Sequence, residues 1–170
     1  LIHAKIAGFD IPVERMTKTM QFLREAITGE EKADSTFKGY ASYILSLNNS
    51  LPEPLFREVY REIRNMSREG ALLVLLAAGR SHFVADRDLV AQTKAILERP
   101  WERTREHAFF AHYREPAIAL IAASVIVKDD LISGRLAKQL LDGINKQGIW
   151  TSTSDTGWSL VALGEYFSGK

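Results

Sequence analysis

The chain has 170 residues, a length that suits one domain, and its 46% hydrophobic content is ample for a packed core. Twenty-two lysines and arginines nearly balance 21 aspartates and glutamates, which argues against nucleic acid or an anionic membrane surface as the main partner. There is no cysteine, so disulfide frameworks, thiolate nucleophiles and zinc-thiolate sites are excluded.

Eight segments carry helical periodicity, and none shows sustained strand alternation. The first runs from Val13 to Ile27, with Met16, Met20, Leu23 and Ile27 on one face. The second runs from Thr36 to Leu47 and places Tyr40, Tyr43, Ile44 and Leu47 at core spacing. In the third, Glu53 to Met66, Phe56, Val59, Tyr60 and Ile63 repeat that spacing among charged residues. The fourth, Ala71 to Ala78, is apolar all round and predicts burial on every side. The fifth, Arg87 to Arg99, is amphipathic through Leu89, Val90, Ile96 and Leu97. The sixth, Ala117 to Val127, is again apolar all round, and it is too short to span a bilayer. The seventh, Leu131 to Leu141, is amphipathic, and the eighth, Trp158 to Phe167, is apolar apart from Ser159 and Glu165.

The boundary residues fit these segments. Pro12, Pro54 and Pro116 stand where a first helical turn tolerates proline. Ser67 and Asp86 read as N-caps, Gly79 and Gly143 as C-terminal caps, and Pro100 as the stop of the fifth helix. The stretch between Pro100 and Glu115 is rich in aromatic and charged residues and reads as a structured loop. Amphipathic helices alternate with more apolar ones along the chain. An amphipathic helix has one side in water, whereas an apolar one is covered on both sides. The expected fold is therefore all-α, a toroid-like arc of about four helical hairpins in two concentric layers forming a single domain over residues 1–170. No repeat of fixed period is visible, which argues against tetratricopeptide or ankyrin arrays. The chain begins at Leu1 with no leader, and it reads as a piece of a longer protein.

Four stretches together resemble the helical thioester domain of bacterial alpha-2-macroglobulin-like proteins. Leu1 to Pro12, with Gly8-Phe9 and Ile11-Pro12, looks like that family's helix end and next helix start. Ser67 to Gly79 looks like its buried Ala/Leu helix. Phe110 to Ala117 is similar to its aromatic-Gly-Ser…Arg-Asp…Ala entry to an inner helix, although Ala111, His112 and Glu115 replace the expected Gly, Ser and Asp. Gly148 to Phe167 is similar to its closing Trp-x-Ser-Thr…Thr-x-x-Trp-x-Leu-x-Ala-Leu-x-x-Tyr signature, the most specific of the four. The resemblance implies an α/α toroid of about six hairpins, of which the amino-terminal part would be missing here. It also implies a broad-range protease inhibitor of the periplasm or cell surface, meeting proteases through its parent protein. This piece would dock on neighbouring domains, with no nucleic acid and no direct membrane insertion. Covalent trapping in that family needs a Cys-x-Glu-Gln thioester. With no cysteine, this chain holds no thioester of its own, so the motif lies in the missing hairpins or the parent belongs to the thioester-less branch.

The chemistry-bearing residues read as structural. His107 and His112 are five apart rather than the four a helical zinc pair wants, and with His3 and His82 they read as surface or loop histidines, so no metal or other cofactor is expected. Glu98, Glu102 and Glu106 beside Arg99, Arg103 and Arg105 read as a solvated ion-pair edge interrupted by Pro100. Lys128-Asp129-Asp130 is superficially similar to the acidic motif of terpene cyclases, lacks the spaced third aspartate, and reads as a helix–helix turn. Gly148-Ile149-Trp150 reads as a packing anchor, and Ser152, Thr153, Ser154 and Thr156 as caps of the last helix with no histidine base near them. No catalytic residue is assigned, and the protein is expected not to be an enzyme. The alternatives are a toroid-type cyclase or prenyltransferase piece and a helical scaffold that binds peptides.

Overall fold

The computed structural model describes residues 8–29, 34–100 and 112–169. Among these residues the fold is all-α, with no strand. The helices are α1 (Val13–Thr28), α2 (Ser35–Leu47), α3 (Glu53–Arg61), α4 (Arg68–Ser81), α5 (Asp86–Leu97), α6 (Arg114–Ala122), α7 (Asp130–Asp142) and α8 (Thr153–Ser168). A 3-10 turn, Ile63–Asn65, follows α3, and a π-helical stretch, Ala123–Val127, continues α6. The chain falls into two compact units, Leu1–Val84 and Ala85–Lys170.

In the first unit α2 and α4 pack most extensively, while α1 lies on α2 and α3 touches both α2 and α4. Every residue of α4 from Glu69 to Ala78 is buried, as its unbroken apolar sequence requires. The first turns of α2 and α4 meet, so the two helices run in the same direction. The Thr36 and Ser67 hydroxyls hydrogen-bond across the join at 2.8 Å. A Cβ added to Gly39 would collide with the Gly70 carbonyl, and one added to Gly70 would lie 3.0 Å from the Ser35 oxygen. Glycine at both positions is what lets the two backbones approach. Ser67 also caps α4 by accepting from the Gly70 N–H at 3.1 Å. Lys38 and Glu62 add an ion pair at 3.0 Å between α2 and the turn after α3.

In the second unit α6 packs on α8 and α7, and α5 lies on the π-helical stretch. α6 is buried throughout from Glu115 to Ala122. The widening at Ala123 coincides with the β-branched run Val125-Ile126-Val127, which crowds the tighter α-turn. The stretch closes when the Lys128 N–H reaches the Ala123 carbonyl at 2.8 Å.

A common register links the chain segments. Ser35 to Asn49, Arg68 to His82 and Arg114 to Lys128 span the same length, and each ends on a non-glycine residue in the left-handed region, with φ of 50°, 55° and 55°. The helix that follows opens on an acid each time: Glu53, Asp86 and Asp130. Leu89, Thr93 and Ile96 in α5 match Ser133, Ala137 and Leu140 in α7 as the buried set, and Phe56 and Ile63 keep the same spacing after Glu53. The two largely buried helices open alike, on Arg68-Glu69-Gly70-Ala71 and Arg114-Glu115-Pro116-Ala117. The repeat therefore exists in register but has no fixed period, because the connections that precede each buried helix differ in length.

Several expectations need correction. Glu53 to Met66 is not one helix. The last turn of α3 tightens and Met66 becomes extended, so that Ser67 can cap α4. α4 runs on through Gly79, and His82 rather than glycine makes its left-handed exit. Ala85 occupies the N-cap of α5 and Asp86 its first turn, where a carboxylate meets the positive end of the helix. α6 starts at Arg114, ahead of Ala117. The expected 100–115 loop lies mostly outside the described residues. On α2 the core face is Gly39, Ala41, Ser42, Tyr43, Leu45 and Ser46, while Tyr40 is exposed. α8 is not covered on both sides, since Leu160 and Phe167 are 60% and 58% exposed.

Candidate functional site

A dense polar cluster lies in the second unit, where the starts of α6 and α8 meet. Asp155 stands in the first turn of α8 and is fully buried. One carboxylate oxygen accepts from the Tyr113 N–H at 2.8 Å and the Arg114 N–H at 3.0 Å. The other accepts from the His112 N–H at 3.2 Å. Tyr113, the N-cap residue of α6, offers no side-chain cap. The first N–H groups of a helix have no partner within it, and Asp155 supplies that partner from a different helix. These are charge-assisted bonds at the positive end of the helix, which offsets the cost of burying the carboxylate.

The residues around Asp155 hold it in place. Ser152 caps α8 by accepting from the Asp155 N–H at 3.1 Å, and its carbonyl takes the Thr156 hydroxyl at 3.0 Å. The connection from α7 is equally tied. The indole N–H of buried Trp150 donates to the Leu140 carbonyl at 2.9 Å. The Asn145 side chain accepts from the N–H groups of Gln147 and Ile149, and Gly148 makes the left-handed turn between them at φ 79°. A Cβ on Gly143 would strike the Tyr113 ring, so glycine there seats the residue whose N–H Asp155 holds.

Ser152 caps the last helix, and Trp150 is buried with its indole N–H tied to the end of α7. Lys128 and Asp129 form the turn into α7, with the Asp129 carboxylate capping the Leu131 and Ile132 N–H groups at 3.0 and 3.1 Å. His82 is an exposed helix exit, and His112 takes part at the cluster through its backbone. His3, His107, Glu102, Glu106, Arg103, Arg105 and Ala111 lie outside the described residues, and Glu98 is exposed at the end of α5. Glu115 is buried in the first turn of α6.

Sequence reasoning missed Asp155 as the centre of the cluster. Ser152-Thr153-Ser154-Asp155 has capping-box spacing, which assigns the carboxylate to the N–H of Ser152. The structure sends it to α6 instead, a destination no local pattern specifies. Among the described residues no group of three or more His, Cys, Asp or Glu side chains could hold a metal ion, and no helix is long and apolar enough to cross a membrane. The Asp155 arrangement immobilises backbone and leaves neither carboxylate oxygen without a hydrogen bond. No family model matches the chain, and no curated protein or solved structure matches it.

Proposed function

We propose that this chain is a helical scaffold from a bacterial alpha-2-macroglobulin-like protease inhibitor, acting without a thioester of its own and arranged as part of a two-layer α/α toroid. The observation that carries the reading is the Asp155 cluster. The segment that most resembles the family's closing signature, Gly148 to Phe167, contains the polar residues that lock the starts of α6 and α8. Polar residues used as caps and anchors suit a piece whose role is to stay rigid while other domains of its parent meet the protease. On this reading the parent acts in the periplasm or at the cell surface, where a protease cuts a bait region elsewhere in the protein and is then enclosed or tethered.

The test uses the parent protein, mixed with excess nonspecific protease and run on a denaturing gel with and without methylamine pretreatment. The proposal expects discrete bait cleavage together with protection of the protease's large substrates. A protease adduct that methylamine abolishes would place a thioester in another part of the parent. Cleavage without an adduct would assign the parent to the thioester-less branch. Absence of both bait cleavage and protection would overturn the proposal in favour of a peptide-binding scaffold or a cyclase piece.

A further inference from the structure

We draw no further inference here: the strongest candidate, the exposed stripe of Gly157, Leu160, Gly164 and Phe167 along α8, is an unpartnered apolar face, and nothing in the structure shows what covers it.

Discussion

Each unit joins a buried helix, α4 or α6, to a neighbour at their first turns, and the two joins use different chemistry. In the first unit the join is steric and neutral: Gly39 against Gly70, with one hydroxyl pair between Thr36 and Ser67. In the second it is a buried charge, with Asp155 of α8 holding three N–H groups at the start of α6. The difference follows from how each helix is capped. α4 has its own cap in Ser67, so its neighbour needs only to come close. α6 has no side-chain cap of its own, so its neighbour must bring one. The same geometric task is thus met by small residues where the cap is local and by a carboxylate where it is not.

This contrast can be broken from either side. The largest effect is expected for Asp155→Ala, which leaves three N–H groups at a helix start without their acceptor. A loss of about 3 kcal/mol is expected in urea unfolding, with Asp155→Asn losing roughly half of that because one oxygen remains. Gly39→Val comes next. Its side chain must push the Gly70 backbone away, and overpacking of this kind costs about 1–3 kcal/mol, read as a lower urea midpoint. Ser67→Ala removes a cap and the hydroxyl link together, for about 1 kcal/mol in the same assay. The smallest change is expected to be stabilising. Ser159 on α8 is fully buried and its hydroxyl has no hydrogen-bond partner among the described residues, so Ser159→Ala should gain about 0.5–1 kcal/mol in thermal unfolding. If Asp155→Ala cost no more than Ser67→Ala, the distinction between the two joins would fail.

Much of the fold was legible because it rests on hydrophobic periodicity. The face of α1 formed by Met16, Met20, Leu23 and Ile27 is buried as the spacing predicts, and so is the apolar run Ala71 to Ala78 in α4; the run from Ala117 to Val127 is buried as far as Ala123, but Val125 is exposed. The core face of α2 was not legible in this way. It is built from Gly39, Ala41, Ser42 and Ser46 beside Tyr43 and Leu45, because the close approach of α4 selects small side chains over apolar ones. A pattern that ranks residues by hydropathy therefore pointed to Tyr40, which is exposed. On α8 the error ran the other way: the apolar run suggested that Leu160 and Phe167 are core, yet both are largely exposed. The caps divide along the same line. Ser67 and Ser152 bond to N–H groups within three residues and could be read locally. Asp155 bonds across more than forty positions of chain, a pairing fixed only by tertiary packing.

The most direct test of the account is amide hydrogen exchange in the Asp155→Ala variant, followed residue by residue at His112, Tyr113 and Arg114. If the carboxylate is the acceptor that pins the start of α6, exchange at these three amides rises by at least about tenfold, equivalent to roughly 1.4 kcal/mol of lost protection. Unchanged exchange at all three would contradict it, because the start of α6 would then be held by something other than Asp155.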